Sequence, residues 1–179
     1  MASDEDVNRF DAGLRRVNAL GEAAAREELR KCCGASRWIE QMVARRPFAS
    51  SAALFDAADA VWNALGADDW LEAFESHPRI GESKAAAAQS STAQNWSKHE
   101  QSGTHSASDE TRAALADANR AYDQKFGHIF IICATGKSAE QMLAAARARL
   151  QNDPATELRI AAEEQRKITR IRLEKLLQP

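Results

Sequence analysis

The stretch SAALFDAADAVWNALG, residues 51–66, places Leu54, Ala57, Ala58, Val61, Trp62 and Leu65 at i, i+3, i+4, i+7, i+8 and i+11. Those intervals line one side of a 3.6-residue helix, so the stretch predicts an amphipathic helix, with Gly66 as a C′ glycine closing it. One apolar side needs covering, and the neighbouring sequence supplies further helices. Upstream, Leu20, Ala24 and Leu29 predict a helix from Asn18 to near Gly34. Ser36 is the expected N-cap of a helix that carries Trp38, Ile39, Met42 and Val43 and stops before Pro47. Trp38 is assigned to the core. Residues 1–8 read as a flexible polar terminus. Downstream, Trp70, Leu71 and Phe74 form the apolar side of a helix ending near Ser76.

The second half of the chain repeats the pattern. Ser108 with Asp109 and Glu110 starts a helix whose inner stripe is Leu115, Ala118, Asn119, Tyr122 and Phe126, ended by Gly127. Asn119 on that stripe needs a hydrogen-bond partner, which points to structural support. Ser138 caps a helix with Met142, Leu143, Ala146 and Leu150, and Asp153-Pro154 opens the last and longest one. Its inner face is read as Leu158, Ala161, Ala162, Gln165, Ile168 and Leu176, with Arg172 bordering it. One segment breaks the periodicity: Ile129, Phe130, Ile131, Ile132 and Cys133 are β-prone and continuous, with no second strand to pair with. Its backbone groups need other partners. Residues 83–95, rich in Ala and Ser, read as a mobile arm with partial helix. The expected fold is all-α: a compact single-domain helical bundle over 1–179, of about eight helices, with a short extended segment near 128–134.

Composition narrows the function classes. The chain has 179 residues, a net charge of −2 and 28% charged residues of mixed sign. That balance argues against a nucleic-acid module and shows no polybasic membrane signal. Three cysteines, two of them adjacent at Cys32 and Cys33, make a poor disulfide framework, so a reducing, cytoplasmic setting is expected. No signal-peptide pattern opens the chain, and no apolar run approaches membrane-spanning length.

Chemistry concentrates in His77-Pro78-Arg79-Ile80-Gly81-Glu82 and in the polar run over 97–101. Pro78 cannot continue a helix and pushes the residue before it toward extended backbone, so His77 sits at a forced helix exit. A rigidly placed imidazole there suits proton transfer, but the spacing alone favours a histidine that caps the preceding helix C-terminus.

This motif, followed by Trp96-Ser97 and Glu100-Gln101, resembles the bacterial 2-oxo-4-hydroxy-4-carboxy-5-ureidoimidazoline (OHCU) decarboxylases of urate degradation. Trp38 with Arg46-Pro47-Phe48, Asn119 with Tyr122, Phe126-Gly127 with the segment after it, and Lys167-Ile168 with Arg172-Leu173 continue the resemblance in the family's order. The resemblance implies that His77 is the catalytic acid/base. It puts Glu100 near the leaving carboxylate, or in a role tuning His77. It further implies that Pro78, Ser97, Gln101, Phe130, Ile132 and Arg172 bind substrate. The substrate carries its own electron sink, an imine beside the carbon that bears the carboxylate, so no cofactor and no metal are expected. OHCU is the expected small-molecule substrate and a homodimer the expected assembly, with no nucleic-acid or membrane partner.

Two other classes are weighed against this. A metal-dependent hydrolase can be read from His99, Glu100 and His105, but these histidines are six apart, where a helical zinc pair needs four. A non-catalytic helical interaction module accounts for the helices and the charge, but not for His77, Glu100, Gln101 and Arg172 matching one family's site.

Overall fold

The computed structural model describes residues 4–80, 90–104 and 107–178. Its regular structure is entirely helical: among the described residues there are nine α-helices, one short 3-10 turn and no strand. The helices divide between two compact units, Met1–Glu72 with Arg166–Pro179, and Ala73–Gln165.

The first unit holds α1 (Asp4–Ala19), α2 (Glu22–Arg30), α3 (Ser36–Ala44), α4 (Ser51–Asn63) and the start of α5 (Ala67–Glu75). The end of the last helix, numbered α9 below, completes it. The first helix is the one the sequence reading missed, having placed the first helical stretch at Asn18. Its pattern is mostly polar, and only the narrow stripe of Phe10, Leu14 and Val17 marks it. Leu14 and Val17 are buried, and Phe10 meets Phe55 edge to face at 6.2 Å. The predicted central helix appears as α4, capped by the Ser50 hydroxyl accepting from Ala53 N–H at 3.1 Å. Trp38 is fully buried, as expected, and donates its indole N–H to Ala58 O at 3.2 Å.

Two local expectations in this unit are corrected. Gly66 is not a left-handed C′ residue: α4 ends on Ala64 in right-handed geometry, and Gly66 instead leads into α5, its carbonyl accepting from Trp70 N–H at 3.1 Å. Ser36 is not an N-cap, since Ala35 holds that position. Its N–H and hydroxyl both donate to the Glu72 carboxylate, at 3.0 and 2.6 Å. A carboxylate brought by another helix satisfies the free donors better than the serine could alone.

The second unit holds the end of α5, then α6 (Ser91–Glu100), the 3-10 turn Ser102–Thr104, α7 (Asp109–Phe126), α8 (Ala139–Arg149) and the first half of α9 (Pro154–Leu177). The expected starts and stops hold here. Ser108 and Ser138 accept from the N–H groups of Thr111 and Gln141, at 3.1 and 3.3 Å, and Ser138 completes a capping box with Gln141. Gly127 closes α7 at φ 74°, a backbone region that disfavours any residue with a Cβ. Leu115 and Tyr122 from α7 and Met142 and Ala146 from α8 form one core with Ile80, Phe130, Ile132 and Ala134. Of the Ala/Ser arm expected over 83–95, residues 83–89 lie outside the described residues. The remainder is the Ser90 cap and the start of α6.

Candidate functional site

α5 ends at Glu75, and His77 N–H donates back to Phe74 O at 3.0 Å as the chain leaves the helix at Pro78. The exit turn is then fastened to α7. Ile80 enters the core beside Leu115 and Tyr122, and its carbonyl accepts from Asn119 Nδ2 at 2.9 Å. Arg79 pairs with Asp123 one turn further along α7. Asn119 therefore plays the structural part expected of it: it holds the turn that carries His77 and Pro78. Gly81 and Glu82 lie outside the described residues.

The run 97–101, read from sequence only as a polar stretch, is the last turn of α6. Ala93, Ser97 and Glu100, at i, i+4 and i+7, make its buried face, and Gln101 is its half-buried C-cap. A helix that turns a serine and a carboxylate inward is costly to build for packing alone. His99 is exposed on the other side, and His105 lies outside the described residues. Among the described residues, no three His, Cys, Asp or Glu side chains form a group that could hold a metal ion. Gly103 follows, so close to the next loop that a Cβ would lie 2.0 Å from Lys137 O. Only glycine permits that approach, which lays the end of α6 on the loop after Ala134.

The segment 129–134 is not a strand, and side chains hold two of its backbone groups. Arg149 Nη1 donates to Ile131 O at 2.7 Å, and Cys133 N–H donates to Glu164 Oε2 at 2.7 Å. Arg149 is itself held in a buried network. Its Nη2 lies 2.6 Å from Oε1 of Glu157, a fully buried carboxylate, and 3.2 Å from the Tyr122 hydroxyl. Tyr122 donates to Glu157, and Asn152 Nδ2 donates to the other carboxylate oxygen at 2.8 Å. Burial, and then the hydrogen bond to Glu157, raise the Tyr122 pKa well above the usual phenol range. The Cys133 thiol is also pushed up, first by burial and then by the negative charges of Glu164 and Glu100, with Lys137 opposing. Both carboxylates thus act on this one segment.

Phe130 and Ile132 were expected at the substrate ring. Their side chains belong to the core: the Phe130 ring packs on Tyr122 at 5.1 Å and under the Arg149 guanidinium at 4.7 Å. What these residues can offer a ligand is chiefly backbone. Arg172 belongs to the other unit. It is buried on α9, with Nη1 donating to Lys31 O at 3.4 Å. Its charge partly offsets the effect of burial on Cys32 and Cys33, whose thiols rise all the same, that of Cys33 to about 12. His77, Pro78, Ser97, Glu100, Gln101, Phe130 and Ile132 all fall in the unit Ala73–Gln165.

Sequence reasoning missed Arg149, Glu157 and Glu164. The inner face of α9 begins one residue earlier than expected, at Glu157 instead of Leu158, which is only half-buried. The signal was there in the spacing, because Glu157, Ala161, Gln165, Ile168 and Arg172 follow at i, i+4, i+8, i+11 and i+15. A charged residue on a buried stripe is readable only once its partner, here Arg149, is in view.

Comparison with known proteins agrees with the sequence resemblance. The family model described as OHCU decarboxylase matches residues 18–174, through both units. The chain is 39% identical over 150 residues to the uric acid degradation bifunctional protein TTL of Arabidopsis thaliana, covering 84% of this chain and 46% of that protein. Identity to the uric acid degradation bifunctional protein of Bacillus sp. (strain TB-90) is 26% over 167 residues, covering 91% of this chain and 32% of that protein. The chain thus spans less than half the length of these relatives. Among solved structures, a crystal structure of OHCU decarboxylase in the presence of (S)-allantoin superposes with a TM-score of 0.73 at 38% identity, covering 84% of this chain and 97% of the other. One of (S)-allantoin synthase shares the fold, with a TM-score of 0.68 at 21% identity over 91% of this chain and 53% of the other. With its family match running through all but the two ends, this chain belongs to the OHCU decarboxylase family.

Proposed function

We propose that this protein decarboxylates OHCU to (S)-allantoin and carbon dioxide, without a cofactor, as a step of urate degradation. The observation that carries this reading is the 38% identity to a whole OHCU decarboxylase chain. The inward Ser97 and Glu100 of α6 and the pinned exit turn of His77 support it. The carboxylate leaves as carbon dioxide and its bonding pair forms the carbon–carbon double bond of an enol, while the imine π pair moves to nitrogen, which takes up one proton from water. His77 moves the hydroxyl proton and serves as acid/base for protonation of the enol carbon; such a group contributes about 10²–10⁴ in rate. Glu100 acts beside the leaving carboxylate, where like-charge repulsion ends as carbon dioxide departs, or it tunes His77. Pro78 walls the pocket, Ser97 and Gln101 hold the ureido and ring amides, the Phe130 and Ile132 backbone meets the ring, and Arg172 binds a substrate oxygen. The whole of 1–179 is taken as one decarboxylase domain, working as a two-fold homodimer in the cytoplasm.

The test is chiral, because OHCU also decays without an enzyme. Uncatalysed decay passes through a planar enol open on both faces and gives racemic allantoin. A difference of about 1.4 kcal/mol between the faces already gives tenfold selectivity. Circular dichroism of freshly generated OHCU with the protein should develop the (S)-allantoin signal, surviving chelation and dialysis. His77→Asn should largely abolish it with helical content retained. Racemic product at the blank rate with the unaltered protein would falsify the proposal.

A further inference from the structure

We propose that Glu164, together with Arg149, is a positioning residue for this reaction, aiming the two backbone polar groups of Ile132 at the substrate. The inference rests on the decarboxylase reading above.

The argument is one of peptide planarity. Across a trans peptide bond the carbonyl and the following N–H point in opposite directions. Arg149 holds Ile131 O at 2.7 Å and so turns Ile132 N–H away from itself. Glu164 holds Cys133 N–H at 2.7 Å and so turns Ile132 C=O away in the same manner. Two clamps on neighbouring peptide planes therefore fix both groups of one residue. Among the described residues the only cis peptide is Arg46-Pro47, so both planes have the trans geometry that this needs. Phe130, Ile132 and Ala134 meanwhile anchor the segment through alternate side chains in the core with Tyr122 and Met142. The result is a donor and an acceptor on a single residue, each fixed by a charged side chain. That pair is complementary to the N–H and C=O along one edge of a ureido or cyclic amide group. The hydrogen bond from Cys133 is charge-assisted, which makes Glu164 a stronger clamp than a neutral acceptor.

The experiment compares Glu164→Ala, Glu164→Asp and Glu164→Gln with the unaltered protein in the chiral assay, alongside hydrogen exchange of the Cys133 amide by NMR. Glu164→Ala frees the plane between Ile132 and Cys133. It should raise KM and lower kcat/KM by ~10-fold or more, since small misplacements of positioning groups carry losses of that order. Enantiomeric excess should fall, and Cys133 amide exchange should quicken. Glu164→Asp keeps the charge but withdraws the carboxylate by one methylene. It should show the same losses in a more conservative variant if the alanine protein does not fold. Glu164→Gln keeps an oxygen for Cys133 N–H and should restore kcat/KM to within about threefold, as a hydrogen-bonding role requires. Unchanged enantiomeric excess and kinetics in both Glu164→Ala and Glu164→Asp, or equal damage in Glu164→Ala and Glu164→Gln, overturns the proposal. Racemic product from the unaltered protein instead overturns the decarboxylase reading. In that event unchanged Cys133 exchange in Glu164→Ala still refutes the clamp.

Discussion

Glu157→Ala is expected to be among the most destabilising single substitutions in the second unit. The Glu157 carboxylate is fully buried and takes Arg149 Nε at 2.7 Å, Asn152 Nδ2 at 2.8 Å and the Tyr122 hydroxyl. Alanine leaves a buried guanidinium without its counter-charge, and breaking such a pair from one side costs about 3–5 kcal/mol. For a chain of this size that corresponds to a melting temperature lower by about 6–20 °C. Urea unfolding followed by far-UV circular dichroism, with a thermal melt beside it, measures the loss. Tyr122→Phe removes only the hydroxyl that bridges Glu157 and Arg149, and should cost about 1–2 kcal/mol. The double variant Arg149→Met, Glu157→Leu removes both charges together and should recover most of the stability, because apolar replacement of a whole buried pair is often neutral. A loss below about 1 kcal/mol for Glu157→Ala, or a double variant no more stable than the single one, would refute the assignment of this network as a buried, mutually dependent pair.

Gly103→Ala puts a Cβ 2.0 Å from Lys137 O, so the turn after α6 must shift. A loss of about 1–3 kcal/mol by thermal melt is expected, as for other overpacked sites, together with weaker turnover in the allantoin assay. Stability should fall above about pH 9, the ordinary thiol range. Burial raises Cys32, Cys33 and Cys133 above that range in the folded state, so the unfolded chain loses these protons first and is favoured as pH rises. Each such thiol adds a slope of up to about 1.4 kcal/mol per pH unit, which for Cys33 continues until its own value near 12. Cys33→Ala should flatten the urea-derived stability profile between those limits, and an unchanged slope would count against the raised thiol. Arg172→Lys should weaken binding of substrate or allantoin measured by calorimetry, because an ammonium lacks the planar fork. Unchanged affinity would confine Arg172 to its place beside Lys31 and the adjacent cysteines.

Helices and their ends were legible in the sequence wherever the cause is local. The apolar spacing of α4, the serine caps of α7 and α8, the glycine after α7 and the proline opening α9 each depend on residues within a turn or two. The ordered motifs around His77, Ser97, Glu100 and Gln101 likewise identified the family without any structure. Tertiary structure decided what depends on distant partners. Ser36 gave up its expected cap because Glu72 arrives from another helix, and Gly66 opens a helix instead of closing one. α1 owes its burial to a stripe too narrow to stand out against polar neighbours. The unpaired segment 129–134 was visible as an anomaly, but sequence could not name Arg149 and Glu164 as its backbone partners. Nor could it show that Glu157 enters the core one residue ahead of Leu158. A buried charge is stable only when its counter-charge meets it in space, and that meeting is a property of the packed fold, not of spacing along the chain.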